Sequence, residues 1–324
     1  MAFVLSEEQQ MLRDSARSFA DERLPISQLR VLRAKGEGFD GTTWREMAEL
    51  GFIGVLIPEE FGGSAFGYIG LGQVLEAQGR TIAASPLLST ALIGASAFVI
   101  AGSQAQKETY LPQIASGDLI MALAVDEGPH HDPSHITLTA TKSAGGYTLS
   151  GDQRYVVDGV EAGLLIVAAR TSGGESDANG ITLFLVQGDA KGVSRTPLKT
   201  LDAHAAANIS FANVEVGPDA VLGAVDGGFA TLDQILDRAR IGLAADVLVG
   251  EARRPEHHVP VDVPEHRGDL VGVHPGRERA TDEATHARPG RQVDGDPVVG
   301  EPATIWSGST SSCTSGSTCW RRCA

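Results

Sequence analysis

The stretch Ile136-Thr-Leu-Thr-Ala-Thr-Lys-Ser-Ala-Gly-Gly-Tyr-Thr-Leu-Ser150 decides the fold class. Ile136, Leu138 and Ala140 alternate with Thr137, Thr139 and Thr141, the period of two of a half-buried strand, and Gly145-Gly146 supplies a turn into a second strand at Tyr147 to Ser150. Further short apolar segments follow over residues 154–157, 164–170, 181–186, 193–198 and 206–211, separated by Gly, Asp and Asn turns. No helical pattern intervenes, so these strands predict an antiparallel β-barrel, with a sandwich as the other closed solution.

Working outward, the period on the N-terminal side is 3.6. Ser6 followed by Gln9 is a capping box, and Leu12, Ala16 and Phe19 then recur at helical steps while Arg13, Asp14 and Arg17 face water. A second helix starts near Thr42 or Thr43, with Trp44, Met47 and Ala48 as its apolar face, and stops at Gly51. Helical patterns also cover residues 68–79, 85–100 and 104–116, the second of them apolar nearly all round and therefore central. Beyond the strands, residues 227–249 return to a helix whose face is Phe229, Leu232, Ile235, Leu236, Ala239 and Leu243. The class is α+β: an N-terminal helical domain (1–120), a middle β domain (121–223), the first helix of a C-terminal bundle (224–250), then a largely irregular tail (251–324).

That tail breaks with the rest of the chain. Its 74 residues contain no Phe, Tyr, Met or Lys, one leucine (Leu270) and seven of the fifteen prolines. Ordering a residue costs roughly 1–2 kcal/mol of backbone entropy, and burying a large apolar side chain returns roughly 1.5–3 kcal/mol. A segment this poor in such side chains cannot offset its own ordering. Cys313, Cys319 and Cys323 all lie in it, at a spacing that fits no zinc pattern, and the His257-His258 pair has no third ligand at a suitable spacing, so no metal is expected.

Composition excludes several classes. The net charge, 26 minus 41 or −15, opposes a phosphate backbone, so nucleic acid is not an expected partner. The longest apolar stretch, residues 86–102, contains Ser89, Thr90 and Ser96 and falls short of the roughly 20 residues that span a bilayer. The start, Met1-Ala-Phe-Val-Leu-Ser-Glu-Glu, lacks a basic leader segment, and the expected location is cytoplasmic. Gly70-Leu-Gly72 follows no strand and lacks a third glycine, so it does not read as a dinucleotide site.

Five strings, in order, resemble the acyl-CoA dehydrogenase family of flavoproteins over residues 3 to about 250: Leu50-Gly-Phe-Ile-Gly-Val-Leu-Ile-Pro-Glu-Glu-Phe-Gly-Gly63, Gln106-Lys-Glu-Thr-Tyr-Leu-Pro-Gln-Ile-Ala-Ser-Gly117, Ala122-Leu-Ala-Val-Asp-Glu127, Gly151-Asp-Gln-Arg-Tyr-Val-Val-Asp-Gly159, and Phe211-Ala-Asn-Val-Glu-Val-Gly-Pro218 ending in Leu222-Gly223. The resemblance implies FAD bound between the β domain and a C-terminal four-helix domain. It also implies an acyl-CoA thioester that loses an α-proton to a carboxylate and a hydride to the flavin, and an electron-transfer flavoprotein or similar acceptor. Leu123, Val125 and Asp126 fall where the family lines the flavin, largely through backbone. Tyr155 and Val157 stand where the family places a Trp and a Thr against the ring; Tyr155 keeps the stacking surface, and Val157 has only its backbone N–H to offer. Asp237 and Arg240 match positions that contact CoA and approach the catalytic centre, and with Arg238 they equally describe an exposed helix face. Arg240, four residues past Leu236, is expected at the border of the apolar face. His130 and His131 replace small residues and read as a solvated loop pair.

The resemblance fails at the chemistry. The family's base is a Glu in a Y-E-G-T-like string or, in a minority, on the helix over residues 227–249. Neither is present, and Ala239 occupies the second position. The R-x-x-F-G segment and Gly-rich string that hold the FAD pyrophosphate and adenine are also absent, so no catalytic residue is assigned. The tail's Arg, Pro, His, Gly and Val bias is what a GC-rich gene yields when read out of frame after about Val249. Three functions follow: a dehydrogenase impaired in this chain, a non-catalytic partner subunit of a heteromeric dehydrogenase, or a related flavin oxidase or monooxygenase. With an intact C-terminal domain the chain would form a homo- or hetero-oligomer.

Overall fold

A computed structural model describes residues 5–200 and 204–252, and the side chains among them up to residue 247. The tail, with its cysteines and its His257-His258 pair, lies outside the described residues. Among the described residues, seven α-helices and eight strands follow in the order helices, strands, helix.

The helix starts are set by local hydrogen bonding. α1 (Glu7–Arg23) opens on the expected capping box, in which the Ser6 hydroxyl accepts the Gln9 N–H while the Gln9 side chain accepts the Ser6 N–H. α3 (Gly41–Glu49) begins one turn residue earlier than its apolar pattern, because the Asp40 carboxylate accepts the N–H groups of both Thr42 and Thr43. Between them lies α2 (Ile26–Lys35), which the apolar periodicity does not reveal: Leu32 is its one buried residue. α4 (Gly67–Gly79) and α6 (Gln104–Ala115) match the expected segments. The central apolar segment starts as a wide-turned π segment over Leu88–Gly94 and continues as α5 (Ala95–Ala101). Thr90 on the π segment accepts the Met121 N–H at 3.0 Å, which ties the helices to the first strand.

The strands are β1 (Met121–Ala124), β2 (Thr139–Ser143), β3 (Gly146–Val156), β4 (Leu164–Arg170), β5 (Ile181–Gln187), β6 (Val193–Pro197), β7 (Ala207–Val216) and β8 (Val221–Leu222). They form one sheet in the order β6-β7-β3-β2-β4-β5-β8, with β1 on β4. This corrects the expected closed antiparallel barrel: β6 and β8 are free ends, and β1 and β2 both run parallel to β4. The sheet nevertheless bends over itself. Register shifts in β3 at Leu149/Gly151 and Gln153/Val156 mark bulges, and Gly151 takes φ +146° where a Cβ would meet the Leu138 backbone at 2.9 Å.

The bend explains why β4 reads as an unbroken apolar run. Every residue of β4 is buried. Leu164, Ile166 and Ala168 join the core shared with the helices, while Leu165, Val167 and Ala169 pack with Leu149, Ile209, Phe211 and Val214 of the folded-over strands. α7 (Gly228–Ala252) lies on the helical side, packed on α4, the π segment, α5 and β5. Its first half buries Leu232, Ile235 and Leu236 as expected, but Leu243 is exposed, together with Ile241 and Val247.

Candidate functional site

The five residues expected at the flavin lie where the end of β1 meets the end of β3. Leu123 is half-buried and Val125 buried, and both pack toward the helical core. Asp126 and the β3 end are joined directly, since its carbonyl accepts the Arg154 N–H at 2.6 Å. Tyr155 follows, 54% exposed, and Val157 is half-buried.

Loop and turn are both strongly framed. The Glu127 carboxylate accepts the N–H groups of Thr137 and Leu138, each at 2.8 Å from its nearer oxygen, together with the Thr137 hydroxyl, and Gln153 Nε2 approaches it at 3.3 Å. Several donors on one carboxylate close the 126–138 loop like a clasp. From the other side, buried Arg170 donates to the carbonyls of Ile136, Glu175, Asp177 and Asn179, so a cation without a carboxylate partner is satisfied by backbone dipoles. His131 is more than a solvated residue: its Nδ1 lies 3.0 Å from both oxygens of Asp126. Neither Glu127 nor Arg170 carries a spacing signal, because each partner lies far along the chain or on the main chain.

The turn itself is an uncommon conformation. Tyr155 and Asp158 have φ of +51° and +56°, and a left-handed backbone costs a residue with a Cβ roughly 1–2 kcal/mol. Asn208 accepts the Tyr155 N–H at 3.1 Å, and Arg195 donates to the carbonyls of Val160 and Ala162, each at 2.6 Å. Burial lowers the Arg195 pKa from its ordinary value. An exposed aromatic side chain on a pinned turn, next to the clasped 126–138 loop, fits a planar ring system such as a flavin.

Asp237 and Arg240 are separate from this cradle. They lie on α7, paired with each other at 2.7 Å, and Arg240 is 53% exposed and not at a buried border. The π segment packs against both β1 and α7 and is the element that links the two groups. On the α4 side of α7 a cavity of about 320 Å³ is lined by Leu71, Leu75, Leu92, Ile241 and Gly242, with Asp237, Tyr68 and Arg238 also on its wall. The Arg238 guanidinium stands 5.3 Å over the Tyr68 ring. Sequence periodicity missed this pairing, since it depends on how α4 and α7 cross.

Residues 6–118 match the family described as acyl-CoA dehydrogenase, N-terminal domain. The chain is 31% identical over 278 residues to isovaleryl-CoA dehydrogenase, mitochondrial, of Pongo abelii, covering 83% of this chain and 65% of that protein. It is 30% identical over 255 residues to acryloyl-CoA reductase (NADH) of Anaerotignum propionicum, covering 76% and 64%. It therefore spans just under two thirds of the length of these relatives. The solved structure of butyryl-CoA dehydrogenase from Megasphaera elsdenii superposes with a TM-score of 0.70 at 27% identity, covering 77% of this chain and 67% of that one. The fold is thus shared with acyl-CoA dehydrogenases, and residues 6–118 carry that family's N-terminal domain.

Proposed function

We propose that this chain binds FAD at the β1–β3 cradle and serves the α,β-dehydrogenation of an acyl-CoA thioester, in a form impaired in this polypeptide. The observation that carries the proposal is the pinned, left-handed turn at Tyr155, with its ring exposed beside the clasped 126–138 loop. Bound FAD supplies a hydride acceptor for the substrate's β-carbon. The chain's own contributions are positional: Tyr155 stacks, Val157 offers its N–H, and Leu123, Val125 and Asp126 present main chain. Asp237 and Arg240, on the exposed face of α7, hold polar parts of CoA. An α-C–H becomes acidic enough only when a base and donors to the thioester oxygen are in place together. No base is assigned among the described residues, and Ala239 stands on α7 where a carboxylate would be needed.

An electron-transfer flavoprotein as acceptor, a cytoplasmic location and an oligomeric state belong to the same proposal. Among the described residues no helix is long and apolar enough to cross a membrane. A second reading, a non-catalytic partner subunit, is favoured by the exposed Ile241, Leu243 and Val247 on α7. The test is to titrate the full chain with FAD, following flavin fluorescence, then add isovaleryl-CoA or butyryl-CoA without oxygen. The expected result is quenched, bound flavin that bleaches slowly or not at all. Failure to take up FAD overturns the proposal, rapid bleaching overturns the impairment, and bleaching that appears only with a second subunit selects the partner reading.

A further inference from the structure

A buried polar cluster lies directly behind the turn assigned to the flavin. Asp158 follows Val157, and its side chain is 4% exposed. One carboxylate oxygen accepts the hydroxyl of Ser89 at 2.5 Å, and His204 Nδ1 lies 3.5 Å from the other. Ser89 belongs to the π segment and is itself buried, whereas His204 belongs to the loop that leads into β7. Half-buried Asp246 of α7 also interacts electrostatically with His204, so the imidazole feels carboxylates from two elements. The cleft that His204 also lines carries Arg33, Lys35, Glu37 and Lys199.

The turn requires this kind of restraint. Left-handed Tyr155 and Asp158 bracket Val156 and Val157, and such conformations persist only where the surroundings over-determine them. Asn208 and Arg195 hold the turn from the sheet, and the Ala205 carbonyl accepts the Val160 N–H at 3.0 Å. The Asp158 carboxylate reaches across to the π segment, the element that also touches β1 and α7. A carboxylate this deeply buried is retained at the cost of its hydration, which the Ser89 hydroxyl and the His204 imidazole together replace.

We infer that Asp158 is a positioning residue, tethered through Ser89 and His204, that holds the turn from Tyr155 to Gly159 so that the Tyr155 ring and the Val157 main chain stay aligned for flavin. The inference rests on the function proposed above and concerns a residue outside the ligand contacts assigned there. Glycine accepts a left-handed backbone more readily than aspartate, so Asp158→Gly leaves the turn's conformation accessible while removing the tether and some backbone restraint. Asp158→Asn keeps an acceptor for Ser89 and removes the charge facing His204.

Amide exchange over residues 155–160 in the flavin-free full chain is compared with FAD affinity and the visible circular dichroism of the bound flavin. For D158G the expected results are roughly tenfold faster exchange, roughly tenfold weaker FAD binding and loss of the flavin signature. Its thermal midpoint is expected within about 3 °C of wild type, and D158N should restore much of the signature. Wild-type exchange and affinity in D158G, with FAD bound, overturn the tether and leave the proposed function intact. A wild-type chain that takes up no FAD overturns the proposed function, and with it the positioning role.

Discussion

Asp246 shows how one side chain can make the fold sensitive to pH. Burial pushes its carboxyl up to about 6, against the pull of His204 in the other direction. The folded chain therefore holds this proton more tightly than the unfolded chain, whose aspartate titrates near the ordinary value of about 3.9. Stability is greatest when the group is protonated, declines as pH rises from about 4 through about 6, and stays lower at neutrality. Asp246→Asn removes that penalty and is expected to stabilise the fold by ~2 kcal/mol at pH 7 and hardly at all at pH 4. Urea unfolding at the two pH values checks this, and an equal effect at both would show that the gain is not electrostatic. Asp226 is the contrasting case: the hydroxyls of Thr171 and Ser172 hold its carboxyl below the usual range, on a surface where water already favours the charge.

At the level of elements, the crossing of α4 and α7 decides where the cavity and the polar cluster lie. The main chains touch at one point, because a Cβ on Gly79 would stand 1.8 Å from the Asp246 carbonyl oxygen. A Cβ on Gly242 would meet Leu92 Cδ2 at 2.1 Å and Leu75 Cδ1 at 3.1 Å. Neither glycine takes a positive φ, so the requirement is close approach. The obstacles differ in kind, one being rigid backbone and the other the end of a side chain that can change rotamer. Gly79→Ala is therefore expected to destabilise the chain by ~3 kcal/mol and Gly242→Ala by ~1 kcal/mol, read from denaturant midpoints. Equal losses would mean that the helices can slide apart, and the crossing would not be the constraint.

For the whole molecule, net charge and apolar surface pull in opposite directions. A charge of −15 keeps copies apart, yet Ile241, Leu243 and Val247 are each at least 48% exposed on one long helix. Ile241 and Leu243 stand on opposite faces of that helix, and large apolar groups left exposed in this way favour association over solubility. The purified chain is expected to self-associate and to bind an apolar dye. Replacing both Ile241 and Val247 by Ser should abolish most dye binding while leaving the unfolding midpoint nearly unchanged. A monodisperse wild-type chain that ignores the dye would place these side chains under cover.

Sequence alone determined what depends on near neighbours along the chain: the capping box at Ser6, the switch of period from 3.6 to 2 near Leu119, and the order helices, strands, helix. It also carried the five family strings. It did not reveal α2, whose single buried residue leaves no periodic signal, nor that the sheet stays open, because strand order is a matter of long-range pairing. Only the tertiary structure brought Glu127 to the Thr137 and Leu138 amides and Ser89 and His204 to Asp158, and set Arg240 out in solvent. The physical reason is distance along the chain: caps and periods are set between residues a few positions apart, whereas these partners lie up to 69 residues apart and meet only in the folded chain.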